Sequence, residues 1–384
     1  MTTIAADDQD LAIFRDTVRR FVAEQIVPRN NEWEASGKTP RSVWRELGDA
    51  GLLAVDIPEE WGGAGADVRF SMVVNEEFSR AGCFSLACAM VVHSDICAHY
   101  LLNWGTDEQK AKYLPKMISG ECVGAIAMTE PGAGSDLQGI RASAVRDGDD
   151  WVINGQKTFI TNGQNAGVVI TVARTDPSVS GSKGTSLFLV DEDTPGFSRG
   201  RNLEKIGQHA ADTSELFFEN VRVRNSDLLG PVNQGFVVLM KELARERLAL
   251  GVSGVAHSEG ALELTKAYIS ERQAFGQSLA KFQNTRFKMA ELATQIAVHR
   301  AFVDQCIERL RLKELDATTG SMAKLACSEL QCRVMDECLQ LFGGYGYMTE
   351  YPISRFYVDA RVQRIYGGAS EIMKEIIGRE ICGR

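Results

Sequence analysis

Three successive patterns of hydrophobic and polar residues divide the chain into three regions. In the first region apolar positions recur every three or four residues, as at Leu11 and Phe14, which is typical of a helix with one buried face. Further helices are predicted near 40–51 and, after a loop rich in Gly, over 70–102, where the sequence is apolar nearly all round. The pattern predicts an α-helical N-terminal domain over residues 1–122.

Short runs rich in β-branched and aromatic residues follow, separated by turns that contain Gly, Asp and Pro. These runs occupy residues 152–155, 168–173, 186–190, 216–218 and 221–223. Their lengths and the turns between them are typical of strands in a compact antiparallel sheet. A central β domain is therefore predicted over residues 123–232.

From residue 233 the spacing returns to that of helices. Phe236, Met240 and Leu243 mark one helix face. Three long amphipathic segments follow, over 254–273, 282–314 and 316–341. Four helices with short connections predict a C-terminal four-helix bundle over 233–384, and the whole chain is assigned to the α+β class.

The composition is that of a globular protein, with 44% hydrophobic and 24% charged residues. The net charge of −9 argues against a nucleic-acid partner, although it leaves room for a local basic pocket. The nine cysteines form no C-x-x-C pair, and His93 and His99 lack partners at ligand spacing, so packing is favoured over metal binding. The N-terminal residues lack a leader pattern and no run of 18 apolar residues occurs, which predicts a cytoplasmic protein without a membrane span.

A glycine-rich stretch is the first candidate for chemistry. Residues 126–136 read I-A-M-T-E-P-G-A-G-S-D, and residues 157–163 read K-T-F-I-T-N-G. The glycines permit close approach of a ligand to the backbone, while the stretch also offers hydroxyl groups and a phenylalanine ring. A cofactor cradle and an ordinary Pro-Gly turn both fit this pattern. A dinucleotide-binding fingerprint and a P-loop do not fit, because their glycine spacing is missing.

These two motifs resemble the flavin-contacting region of the acyl-CoA dehydrogenase family. Further motifs resemble the same family in the same order: E-R-Q-A-F-G at 271–276, F-Q at 282–283, Q-L-F-G-G-Y-G-Y at 340–347 and R-I-Y-G-G at 364–368. The resemblance covers essentially the whole chain. It implies an acyl-CoA dehydrogenase-like fold, non-covalently bound FAD, and a homo-oligomer that is a dimer of dimers.

The resemblance also implies which residues contact FAD. The flavin would lie against Ile126, Ala127, Met128, Thr129, Gly134, Ser135, Phe159, Ile160 and Thr161, and against the turn formed by Ala369, Ser370 and Glu371. Arg272 and Gln283 would meet its pyrophosphate and adenosine side. The FAD of a neighbouring subunit would be reached by Gln340, Leu341, Phe342, Gly343 and Gly344. Phe159 departs from the tryptophan often found in relatives, but it keeps an aromatic face.

The catalytic base is the harder assignment. Many relatives carry a glutamate directly after the tyrosine that corresponds to Tyr366, whereas this chain has Gly367 there. The long-chain and isovaleryl-type branch instead carries the glutamate in an E-R-L segment, which makes Glu246 the candidate. Helical spacing places apolar residues around Glu246, and such surroundings raise the pKa of a carboxyl. Glu371 is a competing carboxylate, and a solvated charge cluster around Glu246 is the alternative interpretation.

The substrate contacts are likewise implied by the resemblance. The N–H of Gly367 or Gly368 could donate to a thioester carbonyl. The other candidates are Ser135, Lys183, Gly184, Ala244, Arg245 and Arg247. The expected reaction is oxidation of a saturated acyl-CoA to a trans-2-enoyl-CoA, with electrons passed to an electron-transfer flavoprotein. An oxygen-reactive acyl-CoA oxidase and an inactive protein that binds FAD or CoA esters are the alternatives, and the acyl chain stays undetermined.

Overall fold

A computed structural model describes residues 8–383. Residues 1–7 lie outside the described part, and they include most of the stretch on which the absence of a leader was predicted. The first region is helical, as predicted, and its helices are α1 (Asp8–Phe21), α2 (Val27–Ser36), α3 (Arg41–Asp49), α4 (Val68–Arg80), α5 (Phe84–Met90), α6 (Ala98–Trp104) and α7 (Asp107–Ile118).

Two stretches of the first region are π-helical: Val22–Ile26, between α1 and α2, and Val91–Cys97, between α5 and α6. The continuous helix Phe84–Trp104 is long and apolar enough to cross a membrane, but 89% of its most apolar window is buried inside the protein. Its hydrophobicity is therefore that of a core helix. His93 lies on this helix, accepts a hydrogen bond from the Gly124 N–H and contacts the Met117 carbonyl at 3.0 Å. These contacts confirm the packing role predicted for His93.

The second region is an eight-stranded sheet. Its strands are β1 (Val123–Ala127), β2 (Ser143–Asp147), β3 (Asp150–Thr161), β4 (Ala166–Arg174), β5 (Thr185–Asp191), β6 (Phe197–Asn202), β7 (Thr213–Arg224) and β8 (Leu228–Leu229). The strand order is β6-β7-β3-β2-β4-β5-β8, with β1 beside β4. Most pairs are antiparallel as predicted, but β1 pairs with β4 in parallel, with Ile126 opposite Ile170. β2 also meets β4 in parallel, at Ser143 and Arg174, so the prediction of an antiparallel sheet was wrong at these two pairs.

The third region contains three long helices and two shorter ones. They are α8 (Gly235–Glu271), α9 (Gln283–Arg311), α10 (Ala317–Phe342), α11 (Pro352–Ala360) and α12 (Ser370–Cys382), and a short hairpin of β9 (Gln273–Ala274) and β10 (Gln277–Ser278) follows α8.

The boundary predicted between two helices near residue 254 is wrong, since α8 is one helix of 37 residues. Gly251 and Gly254 do not end a helix. A Cβ atom at either position would lie 3.1–3.2 Å from a backbone oxygen of α10. These glycines therefore allow α8 and α10 to pack closely.

One hydrophobic cluster joins all three regions. It contains Tyr100 from α6, Ile170 from β4 and Leu239 from α8, and Ile126 and Met128 pack against it. The glycine-rich stretch and the first half of α8 consequently border the same core.

Candidate functional site

Glu246 lies on the buried face of α8 and is 5% exposed. The Tyr100 hydroxyl donates a hydrogen bond to Glu246 Oε1 over 2.8 Å. Tyr100 is itself 0% exposed, so the carboxylate and its donor are both removed from bulk water. This position contradicts the alternative in which Glu246 belongs to a solvated charge cluster.

Burial raises the pKa of Glu246 to about 7. The Tyr100 hydrogen bond opposes this effect, the negative charge of Glu242 adds to it, and Arg247 opposes it. A carboxyl with a pKa near 7 is half ionised at neutral pH, and it is a much stronger base than an exposed glutamate. The burial predicted from the helical spacing is confirmed.

The turn at Gly367 packs against α8 one helical turn beyond Glu246. Gly367 has a φ of 61° and Gly368 a φ of 96°. A Cβ atom at Gly367 would lie 2.2 Å from Leu250 Cδ1, so the turn packs directly against the residue four positions after Glu246. Buried Lys324 donates to the Gly368 carbonyl over 2.6 Å and holds the turn in place. The sequence positions 246 and 367 are therefore neighbours in the fold.

The turn also contains a backbone N–H group that is free to donate a hydrogen bond. Within residues 8–383, the N–H of Gly367 donates to no protein acceptor. A backbone N–H of this kind can stabilise negative charge that develops on a carbonyl oxygen. The turn thus fits the role that the sequence assigned to Gly367.

The arginines on either side of Glu246 point to different partners. Arg245 Nη2 lies 2.8 Å from both Asp56 Oδ2 and Asp95 Oδ1. Arg247 Nη1 donates to Ser321 Oγ over 2.9 Å. This arrangement favours an internal structural role for Arg245 over the substrate contact predicted for it.

Ala244 lies where α8 and α10 cross. A Cβ atom at Gly320 would come within 2.8 Å of the Ala244 carbonyl oxygen. Its predicted contact with substrate stays a prediction.

The glycine-rich stretch is fixed to β3 by a buried ion pair. Lys157 Nζ lies 2.8 Å from Glu130 Oε1 and also donates to the Met128 carbonyl over 3.1 Å. The two carboxylate oxygens of Glu130 further accept the N–H groups of Arg141 and Ala142. One glutamate therefore closes the loop that runs from residue 130 to residue 142.

The stretch presents a surface that suits a flat aromatic ligand. Phe159 sits at an irregularity in the β3–β7 pairing with a φ of 59°, and its side chain is 67% exposed. The hydroxyls of Thr129, Ser135 and Thr161 donate to nothing within the described part of the chain, and a Cβ atom at Gly134 would meet nothing within 4 Å. A strained backbone that exposes a ring beside unused hydroxyls fits the residues of a flavin cradle.

Other residues of the predicted cradle have less room for side-chain contact. Ala127 and Ile160 are buried in the sheet core, whereas Ile126 and Met128 are only partly buried. Ala127 and Ile160 can therefore reach a ligand only through their backbones.

Three motifs of the third region, at 271–276, 282–283 and 340–347, meet near the C-terminal end of α8. Arg272 lies over the Tyr345 ring with 5.2 Å to the centroid, and Phe342 stacks on Tyr268 at 4.0 Å. The phenylalanine ring is thus part of the core. Exposed positions at this end are Gln283, Gln340, Gly343 and Gly344, while Leu341 is partly buried. The structure brings Arg272 and the glycine motif together in one subunit.

The remaining predicted contacts lie on turns. Ser370 donates to Glu329 over 3.0 Å, while Ala369 is the N-cap of α12 and Glu371 is exposed in its first turn. Lys183 is exposed, and the Gly184 carbonyl accepts the N–H groups of Thr175 and Asp176. The exposure of Glu371 makes it a weaker candidate base than Glu246.

Sequence reasoning missed four residues of this site. Lys157 and Glu130 lie inside the quoted motifs, but they are 27 residues apart and the polar neighbours of Lys157 gave no sign that it is buried. Tyr100 and Lys324 gave no sign either, because each reaches the site from another helix.

Comparison with known proteins identifies the family to which this fold and site belong. Three family models match in succession: acyl-CoA dehydrogenase, N-terminal domain, over 8–121; middle domain, over 125–221; and C-terminal domain, over 233–382. Among curated proteins, the mitochondrial long-chain specific acyl-CoA dehydrogenase of Sus scrofa is 50% identical over 370 residues, which cover 96% of this chain and 86% of that protein. The mitochondrial isovaleryl-CoA dehydrogenase of Solanum tuberosum is 36% identical over 382 residues, with 99% and 92% covered.

Solved structures give the same result. The acyl-CoA dehydrogenase from Geobacillus kaustophilus superposes with a TM-score of 0.95 at 45% identity, covering 99% of this chain and 100% of that one. A glutaryl-CoA dehydrogenase from Mycobacterium smegmatis in complex with FADH2 superposes with a TM-score of 0.93 at 29% identity, with 98% and 96% covered. Fold and matches together define an oxidoreductase. The chain belongs to the acyl-CoA dehydrogenase family, and within it resembles the long-chain and isovaleryl-type members.

Proposed function

We propose that Glu246 is the base of an FAD-dependent dehydrogenation in which a saturated acyl-CoA becomes a trans-2-enoyl-CoA. The observation that supports this assignment is the position of a buried carboxylate beside the Gly367 turn, with Leu250 as their shared neighbour. The Glu246 carboxylate takes the proton from the substrate's α carbon. The Gly367 N–H donates to the thioester oxygen, where negative charge develops as that proton leaves.

The cofactor is FAD, as in the rest of the family. The partly buried side chains of Ile126 and Met128, the hydroxyls of Thr129, Ser135 and Thr161, and the ring of Phe159 would hold its flavin. When bound, FAD supplies the two-electron acceptor for the hydrogen that leaves the β carbon. We assign the pyrophosphate and adenosine contacts to Arg272, Gln283 and the segment 340–344, in part across a subunit boundary.

The substrate class follows from the relatives. A straight long-chain acyl-CoA is the first candidate, because a relative named as long-chain specific is 50% identical whereas one named for isovaleryl-CoA is 36% identical. The electron acceptor is an electron-transfer flavoprotein. We further propose a homotetramer, a cytoplasmic location and domains over 1–122, 123–232 and 233–384.

Anaerobic titration tests the reaction and the base together. Purified holoenzyme is mixed with palmitoyl-CoA or isovaleryl-CoA, and the oxidised flavin band is followed in wild type, Glu246→Gln and Glu371→Gln. Wild type and the Glu371 variant should bleach, since Glu371 is exposed. The Glu246 variant should keep its flavin but lose bleaching by several orders of magnitude, because an amide cannot accept the proton.

Each other outcome has a separate meaning. Undiminished bleaching in the Glu246 variant would show that another group is the base. Faster bleaching with isovaleryl-CoA than with palmitoyl-CoA would overturn the long-chain assignment alone. Rapid reoxidation of the reduced wild-type flavin in air would identify an oxidase instead of a dehydrogenase.

A further inference from the structure

We propose that Tyr100 is a positioning residue for Glu246, which holds one carboxylate oxygen and leaves the other to take the substrate proton. The inference rests on the proposed role of Glu246 as the base. It adds a second residue, from a different region of the chain, that sets both the orientation and the acid strength of that base.

The hydrogen bond between the two side chains is well placed for this role. The Tyr100 hydroxyl donates to Oε1 over 2.8 Å, a normal length for an O–H···O hydrogen bond. Within the part of the chain that the structure describes, no other side chain donates to Glu246. Oε1 is therefore tied down, and Oε2 is the oxygen left without a protein donor.

Tyr100 is itself rigidly held. It lies at 0% exposure in the cluster that joins the three regions, on the helix α6 that continues the π-helical turn Val91–Cys97. Because the ring is packed on all sides, water cannot replace its hydroxyl without a rearrangement of the core. The donor comes from the N-terminal region and the acceptor from α8, so the docking of these two regions fixes the carboxylate.

The charged and titratable groups around Glu246 are few. Tyr100 and Cys97 face it from the helix that spans α5 and α6, and Glu242 and Arg247 lie on α8 itself. Burial, together with the Glu246 charge, raises the pKa of Tyr100 well above its usual range, so this hydroxyl remains a donor. Cys97 likewise stays a neutral thiol, because burial raises its pKa.

The hydrogen bond stabilises the ionised carboxylate and so makes it available at neutral pH. Its loss in Tyr100→Phe should raise the pKa of Glu246 by about one to two pH units, as expected for a hydrogen bond to a charged group. With a wild-type pKa of about 7, the ionised fraction at pH 7 should fall about 5- to 50-fold. Glu242→Gln should move the pKa in the opposite direction, because it removes a neighbouring negative charge.

The test is the pH dependence of flavin reduction. The second-order rate constant for reduction by palmitoyl-CoA is measured anaerobically by stopped flow from pH 5.5 to 10 (roughly the range in which the free enzyme's base titrates). Tyr100→Phe should show the rising limb displaced to higher pH, with the rate recovering towards the wild-type plateau. Tyr113→Phe is the matched control: Tyr113 is also buried and donates to a carboxylate, that of Asp191 over 2.8 Å, but it lies outside the site.

A Tyr100→Phe profile that falls equally at every pH, or that superimposes on the wild type, would overturn the inference. Glu246→Gln separates this failure from failure of the proposed function. If flavin reduction persists in Glu246→Gln, the assignment of the base is wrong and Tyr100 has nothing to position. If reduction is lost in Glu246→Gln but the pH profile of Tyr100→Phe is unmoved, only the role of Tyr100 is wrong.

Discussion

Replacing Glu246 by Gln should make the protein more stable at alkaline pH while it abolishes catalysis. Burial raises the pKa of Glu246 from its ordinary value of 4.5 to about 7. Since one pH unit corresponds to about 1.36 kcal/mol, keeping the ionised carboxylate buried costs about 3 kcal/mol. Glutamine has nearly the same shape and still offers an oxygen to the Tyr100 hydroxyl, but it carries no charge.

The sign of the pH dependence follows from the direction of the pKa. A carboxyl whose folded-state pKa is raised contributes its full stability below pH 4.5, where both states are protonated. That contribution is lost as the pH rises from 4.5 to about 7, and it stays lost above. The stability of Glu246→Gln relative to the wild type should therefore increase by about 3 kcal/mol between pH 4.5 and pH 8.

Thermal unfolding of the two holoenzymes over this pH range measures the difference. For 384 residues an unfolding entropy of about 0.8 kcal/mol/K is expected, so about 3 kcal/mol corresponds to about 4 °C in Tm. Glu371→Gln, at an exposed position, should show no such trend. A difference between Glu246→Gln and wild type that does not change with pH would refute the reasoning, because it would mean that Glu246 ionises as freely in the folded protein as in the unfolded chain.

Two further substitutions test the ion pairs that support the site. Lys157→Met should lower stability by about 3–5 kcal/mol and release flavin, because it leaves Glu130 buried without its cation. Tm and the flavin-to-protein ratio measure these effects. As a control, Lys112→Met breaks an exposed ion pair and should cost about 1 kcal/mol or less. Arg245→Met should likewise lower the Tm of the substrate-free enzyme, because it leaves buried carboxylates without their cation. Arg41→Met, which breaks an exposed ion pair, should leave the Tm nearly unchanged. A raised KM at unchanged Tm in Arg245→Met would favour the substrate contact instead.

The sequence was sufficient where the signal is local. The helical spacing around Glu246 predicted its apolar surroundings, and the runs of β-branched residues predicted the strands of the sheet. Glu246 in the E-R-L segment and Gly367 could also be assigned to the same site, although they are far apart in sequence, because both positions match the long-chain and isovaleryl-type branch. The structure then placed Gly367 against Leu250.

The sequence was insufficient where a residue acts through a distant partner. Tyr100 looks like any core residue of an apolar helix until α8 brings Glu246 to its hydroxyl. The predicted segment boundary at residue 254 falls inside α8, because the sequence did not show that Gly251 and Gly254 serve the crossing with α10. Resemblance suggested a substrate contact for Arg245, and the sequence did not show its acidic partners because Asp56 and Asp95 lie 189 and 150 residues away. Periodicity shows which face is buried, but it does not show what that face meets.

The contact between Gly367 and Leu250 also bears on how this lineage can evolve. A side chain at residue 367 would need both an unfavourable backbone conformation and space that Leu250 now occupies. A glutamate at residue 367 would therefore require both a shift of the Leu250 side chain and a strained backbone. A single Gly367→Glu substitution is therefore expected to lower stability, which favours keeping the carboxylate on α8 in variants of this chain.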